Sequence, residues 1–120
     1  MKVYEICFSP TGGTKKSSDM LVKNISGEHV FVDLTDINKE FGSISMTDGD
    51  VAVIAVPSYG GRVPQVAVDR ISEIKGNGAI AVLLCVYGNR AYEDTLTELE
   101  DSAEKAGFRI IAAVAAIAEH

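Results

Sequence analysis

The run Val51-Ala52-Val53-Ile54-Ala55-Val56 is apolar without interruption. A strand with one face in water alternates apolar and polar residues, whereas a strand covered on both faces has no need to. The segment therefore predicts the central strand of a layered sheet. Residues 3–8 form a second short, mostly apolar stretch, closed by Ser9-Pro10-Thr11-Gly12-Gly13, and read as a strand entering a loop. Residues 29–34 and 79–86 read as two more strands. Residues 108–118 read as a fifth, although their alanine content makes helix a competitor.

Between these runs the spacing changes to that of helices. Residues 15–25 predict a helix with Met20, Leu21 and Ile25 on one side and Gly27 past its end. Residues 35–49 are weakly patterned and allow only a short helix. Pro64 suits a helix start, since its missing N–H is no loss in a first turn. Ala67, Ile71 and Ile74 then share a face, and Gly76 ends that helix. Asn89 suits the N-cap of a longer helix with a buried stripe of Tyr92, Leu96, Leu99, Ala103 and Ala106, closed by Gly107. The order β-α-β-(short)-β-α-β-α-β implies one α/β domain over residues 1–120, with a parallel sheet, right-handed crossovers and helices on both faces.

Charge and cysteine content exclude several classes. Eleven Lys and Arg against 17 Asp and Glu give a net charge of −6. Nucleic acid and anionic membranes both require a basic face, so neither is expected as a partner. A cationic protein partner is permitted. Cys7 and Cys85 sit inside apolar runs, outside any CxxC pair or Cys/His cluster, so no zinc or iron–sulfur signature is present. A reducing compartment follows. Lys2 and Glu5 interrupt the N-terminus before any apolar region, and no apolar run is long enough to span a bilayer, so a cytoplasmic protein is expected.

Parallel sheets bind ligands beyond the carboxyl ends of their strands. Three loops at such ends carry unusual residues. The first is Ser9-Pro10-Thr11-Gly12-Gly13-Thr14, with three hydroxyls around glycines at the mouth of a helix. Free amides and the helix dipole favour an anion there, glycines let the backbone close around it, and hydroxyls add donors without charge. The pattern suits a buried phosphomonoester such as that of FMN; the plainer reading is a glycine turn with Thr14 as N-cap. A P-loop fails because Thr14 follows the paired glycines, and a cysteine-phosphatase loop fails because Gly13 stands where an arginine is required. An aspartyl-phosphate receiver fails because Val56 and Pro57 stand where an acid is needed, and Cys7 reads as a packed thiol.

The second loop, Pro57-Ser58-Tyr59-Gly60-Gly61-Arg62, offers an aromatic that can stack on a flat ring beside glycines that permit close approach. The third, Tyr87-Gly88-Asn89-Arg90-Ala91-Tyr92, offers Tyr87 for the other side of a ring and Gly88 and Asn89 for its polar edge. Arg62 and Arg90 could face a ligand or water, and Tyr92 falls on the apolar stripe. Glu93, Asp94, Glu98, Glu100, Asp101 and Glu104 read as a solvated helix face, with docking of a basic redox partner as the alternative.

These three segments resemble the flavodoxin family. Phe8-Ser9-Pro10-Thr11-Gly12-Gly13-Thr14 resembles its phosphate loop. Val56-Pro57-Ser58-Tyr59-Gly60-Gly61-Arg62-Val63-Pro64 and Val86-Tyr87-Gly88-Asn89-Arg90-Ala91-Tyr92 resemble more closely the flavodoxin-type N-terminal half of bacterial and archaeal flavodoxin–ferredoxin fusion proteins. The resemblance implies a flavodoxin-like three-layer fold, a five-stranded parallel sheet of order 2-1-3-4-5 and a non-covalent FMN. Ser9, Thr11 and Thr14 with the loop amides would hold the phosphate, and Pro10, Gly12 and Gly13 belong to the same cofactor-binding loop. Tyr59 and Tyr87 would flank the isoalloxazine, with Ser58, Gly88, Asn89 and Arg90 around it. A backbone carbonyl near Gly60 or Gly61 would turn toward N5, and no side chain would do acid–base chemistry.

The chain departs from that family in two ways. It has no cysteine-rich ferredoxin half, and its fifth strand is followed only by Glu119-His120 where a flavodoxin continues into a last helix. An exposed apolar strip is expected there, covered by another copy (a homo-oligomer) or belonging to a longer protein. The expected function is an FMN-binding electron-transfer domain whose partner is a redox protein, iron–sulfur or basic in character. Two alternatives are an FMN-dependent quinone or small-molecule reductase, which would need a hydride-donor site, and a flavin-free flavodoxin-shaped binding or assembly domain.

Overall fold

In the computed structural model, residues 1–88 and 92–118 are described. The elements run β1 (Lys2–Cys7), α1 (Gly13–Val22), β2 (Glu28–Asp33), a 3-10 turn (Phe41–Ser43), β3 (Val51–Pro57), α2 (Gln65–Glu73), β4 (Ile80–Tyr87), α3 (Glu93–Lys105) and β5 (Arg109–Ile117). All strand pairs are parallel, in the order β2-β1-β3-β4-β5. The chain leaves β1 for β2 on one side, then returns to β3 on the other. This reversal opens a crevice at the carboxyl ends of β1 and β3, where the first two glycine loops emerge.

All seven residues of β3 are buried, which its unbroken apolar run predicts. One sheet face carries Tyr4, Ile6, Ile54 and Leu83 against Ile71 of α2 and Leu99 of α3, and this is the larger core. The other face carries Val3 and Val53 against Val22 of α1, with Cys7, Ala55 and Leu84 farther along. Both cysteines are free and buried. Burial pushes the Cys7 thiol up to about 12 and the Cys85 thiol to about 11.

Two helices are turned relative to their apolar patterns. α1 starts two residues earlier than expected and ends at Val22, and it buries Thr14, Ser18 and Val22. Leu21 and Ile25 pack at its flank, whereas Met20 is 54% exposed. The small polar residues face inward because Glu5 lies beneath them on β1, itself buried. In α3 the buried residues are Thr95, Leu99, Ser102 and Ala103, while Leu96 and Ala106 are only half-buried. Tyr92 holds its N-cap position; the expected cap, Asn89, lies outside the described residues. Gly107 closes the helix with φ +98°, a conformation that favours glycine. Gly76 serves close approach rather than helix termination: α2 ends at Glu73, and a Cβ on Gly76 would stand 2.8 Å from the Phe108 backbone nitrogen.

β5 is a strand, resolving the competition with helix. Its register to β4 jumps between Ala81 and Val82, which bulges out Ile111. On the α1 side the outer flank of the sheet lacks cover. A groove of about 370 Å3 runs between α1 and β5, lined by Met20, Leu21, Leu84, Val114 and Ala116 among others. Val114 is 40% and Ile117 67% exposed, so the expected apolar strip is present.

Leu83→Ala removes a fully buried core side chain and is expected to cost about 3–4 kcal/mol. Val114→Ala, on the exposed strip, is expected to cost less than about 1 kcal/mol. Urea denaturation of both variants measures the contrast.

Candidate functional site

Loops after β1, β3 and β4 meet at the carboxyl edge of the sheet. They enclose a cavity of about 260 Å3 lined by Thr11, Gly13, Thr14, Pro57, Ser58, Tyr59, Val86, Gly88 and Ala118. Of the expected site residues, Thr11, Gly13, Thr14, Ser58, Tyr59 and Gly88 thus line one space. Ser9, Pro10, Gly12, Gly60, Gly61 and Tyr87 lie in the same loops but outside its lining, and Asn89 and Arg90 lie outside the described residues. The volume is slightly below the usual small-molecule range of roughly 300–1,000 Å3. Tyr59 at the cavity's rim is exposed.

The first loop leads directly into the start of α1. Gly12 is the N-cap of α1, with φ +92°, and no side chain caps it. Helix starts leave their first amides without intrahelical acceptors. Ser9 Oγ takes one of them, accepting from the Lys15 amide at 2.9 Å. Because that oxygen is the acceptor, its own hydrogen is left to donate elsewhere. A Cβ on Gly12 or Gly13 would meet nothing within 4 Å, so the space above the helix start is open. Thr14 is buried beneath it.

The second loop is a tight hairpin held by α3. Tyr59 and Arg62 exchange two backbone hydrogen bonds, of 2.9 and 3.1 Å, around Gly60 (φ +59°) and Gly61 (φ +80°). Two consecutive positive φ values are a turn that glycine alone adopts without strain. The Ser58 amide donates to the Val86 carbonyl at 2.9 Å, and the Ser58 and Thr95 hydroxyls are 2.7 Å apart. Glu98 accepts from Arg62 Nη2 through Oε2 and from the Val63 amide through Oε1, each at 2.7 Å. The Arg62 guanidinium, followed by the Val63 amide, holds the Glu98 carboxyl below its ordinary range against burial. This settles Arg62, left open between ligand and water by the sequence, as an ion-pair partner. It also takes Glu98 out of the solvated acidic face. In the third loop, Tyr87 stacks on Tyr92 with ring centroids 4.4 Å apart at 28°.

Sequence reasoning missed the contributions of Val86, Ala118, Thr95 and Glu98. Val86 and Ala118 are plain apolar residues that only strand register brings to the edge. Thr95 and Glu98 carry a faint signal, being a polar pair three apart on one helix side with Leu99 beside them.

Beneath α1 lies a second polar cluster. Glu5 is buried among Ser18, Asp19 and Lys15 of α1, and its Oε2 and the Ser18 Oγ have no hydrogen-bond partner among the described residues. Burial, followed by the bond to Asp19, raises Glu5 from 4.5 to about 7. Lys15 pairs with Asp19 at 2.8 Å and lies 4.7 Å from the Phe31 ring centroid.

The fold is flavodoxin-like. No protein-family model and no curated protein sequence matches the chain; solved structures do. A flavoprotein from Lactobacillus acidophilus, in complex with FMN, superposes with a TM-score of 0.72 at 13% identity, over 95% of this chain and 92% of that one. Two-electron reduced flavodoxin of Megasphaera elsdenii gives 0.73 at 18%, over 97% and 85%. The Trp repressor binding protein of Bacillus subtilis gives 0.66 at 13%, over 98% and 85%. No helix among the described residues is long and apolar enough to cross a membrane.

Because the folded protein holds the Glu5 proton more tightly than the unfolded chain, stability falls as pH rises from about 4.5 to about 7 and levels off above. Glu5→Gln is expected to flatten this decline and to gain about 1–2 kcal/mol above pH 7. Urea midpoints at pH 5 and pH 8 test it; equal midpoint shifts at both pH values would refute the raised pKa.

Proposed function

We propose that the chain binds FMN at the carboxyl edge of its sheet and serves as an electron-transfer domain of flavodoxin type. The observation that carries this reading is the convergence on one cavity of a helix start with glycine at its N-cap, Thr11, Thr14 and Tyr59. Its neighbours in fold include a Fusobacterium nucleatum flavodoxin described as bound to FMN and the Lactobacillus acidophilus flavoprotein described as in complex with it.

The chain's own groups divide the work. The first-turn amides of α1 and the hydroxyls of Ser9, Thr11 and Thr14 receive the phosphate. The Lys15 amide uses Ser9 Oγ as an acceptor, which leaves the Ser9 hydroxyl hydrogen free to donate. No lysine or arginine is required, since amides and hydroxyls neutralise the anion through dipoles. Tyr59, half-exposed on its hairpin, covers one face of the ring, and the Gly60–Gly61 turn brings backbone to the ring edge without side-chain hindrance. Tyr87 and Gly88 stand on the opposite side in this reading, and the sequence assigns Asn89 and Arg90 to the same cofactor-binding segment. Bound FMN supplies one- and two-electron redox chemistry, and the protein supplies orientation, electrostatics and access.

The second and third loops favour kinship with the flavodoxin half of flavodoxin–ferredoxin fusion proteins. An iron–sulfur or basic protein is the proposed redox partner, meeting the acidic α3 beside the ring, in the cytoplasm. The apolar strip beside β5 is the proposed contact with a second copy or with further chain.

Titration with FMN, followed by flavin absorbance and fluorescence, tests the core of the reading. Saturable quenching at one FMN per chain is expected, and Thr11→Ala should weaken affinity about tenfold. Absence of saturation at about 50 µM FMN would overturn flavin binding and favour the flavin-free reading.

A further inference from the structure

The β3–α2 hairpin is fastened to α3 at both ends and free in the middle. At its start, Ser58 bonds Thr95, a residue with 0% exposure one turn before the fully buried Leu99. At its end, one carboxylate, Glu98, takes the Val63 amide and the Arg62 guanidinium together. Between these points a Cβ on Gly60 would meet nothing within 4 Å. Thr95 and Glu98 lie three residues apart and so share one side of the helix. A hairpin tip projecting into solvent would ordinarily be among the most mobile parts of a domain. Here three bonds to a packed helix restrict it on either side of the Gly60–Gly61 peptide.

We infer that Thr95 and Glu98 are positioning residues: they latch the hairpin to α3, fix the placement of Tyr59, and confine rearrangement of the loop to the Gly60–Gly61 peptide. The latch concerns the hairpin itself; only its effect on flavin rests on the FMN reading above.

Its two limbs contribute unequally. The Arg62 side chain is 70% exposed against 26% for Glu98, so their ion pair lies in water and holds little. The bond from the amide of buried Val63 to a charged carboxylate is the strong limb. Losing it also leaves a backbone donor without a partner. The variants therefore have an expected order. Arg62→Ala is nearly silent. Glu98→Gln, which keeps an oxygen acceptor for the amide but loses the charge, has an intermediate effect. Glu98→Ala and Thr95→Val release the end and the start of the hairpin, respectively.

Amide hydrogen exchange of the protein without FMN reads the latch directly. Glu98→Ala should speed exchange at Val63 about tenfold or more, while the β4 amides stay at wild-type rates and report intact global stability. With FMN present, Glu98→Ala should weaken binding and shift the flavin midpoint potential, effects that a purely structural role would not order as Ala, Gln, wild type. Unchanged Val63 exchange in Glu98→Ala overturns the latch, whether or not FMN binds. Equal acceleration at Val63 and throughout β4 also overturns it, because the effect is then global. Faster exchange confined to the hairpin, in a protein whose wild type takes up no FMN, supports the latch and removes only the flavin reading.

Discussion

Full burial of β3 governs the rest of the architecture. A strand with no residue in water must have a hydrogen-bonded neighbour on each edge and a helical layer on each face. β1 and β4 supply the edges, α1 one face, and α2 with α3 the other. Parallel pairing then forces each connection to cross over and return, so that every loop leaving a strand emerges at the same end of the sheet. The clustering of three distant glycine loops is therefore a consequence of apolar burial rather than of attraction among the loops. The reversal of direction around β1 keeps the crevice between the first two loops open to a ligand.

α1 shows how the site and the packing constrain one another. A helix meant only to cover the sheet would present leucine and isoleucine to it, and the sequence contains such residues at Met20, Leu21 and Ile25. Instead the helix faces inward with Thr14, Ser18 and Val22. Short side chains let its axis lie close to β1, directly after the loop that it must terminate. The arrangement leaves Glu5 buried without full hydrogen bonding and leaves Met20 in water. α3 makes a comparable compromise, rolling Thr95 rather than Leu96 inward to reach Ser58.

Much of this architecture is legible in the amino-acid sequence. Continuous apolar runs revealed the strands, since burial on both faces removes the need for polar residues, and glycines marked the turns at residues 12, 60, 61 and 107. Helix rotation was not legible for α1 or α3. Apolar periodicity assumes that the inward face is the most hydrophobic one, and both helices break that rule where a polar side chain has a buried polar neighbour on another element. The same limitation hid Glu98: six acids along one helix resemble a solvated face until the fold brings the Val63 amide to one of them. β5 was ambiguous because alanine favours helix in isolation, and pairing with the edge of β4 overrode that preference.

The two buried cysteines have a chemical consequence. Disulfide exchange, oxidation to sulfenic acid and addition to an electron-poor ring all begin from the thiolate. With Cys7 pushed up to about 12 and Cys85 to about 11, that form is scarce at any physiological pH. Sulfur can thus stand in the strand that leads directly into the Ser9–Thr14 loop and remain inert there. On the proposed flavin reading, an oxidising group held beside that loop would therefore face a thiol rather than a thiolate.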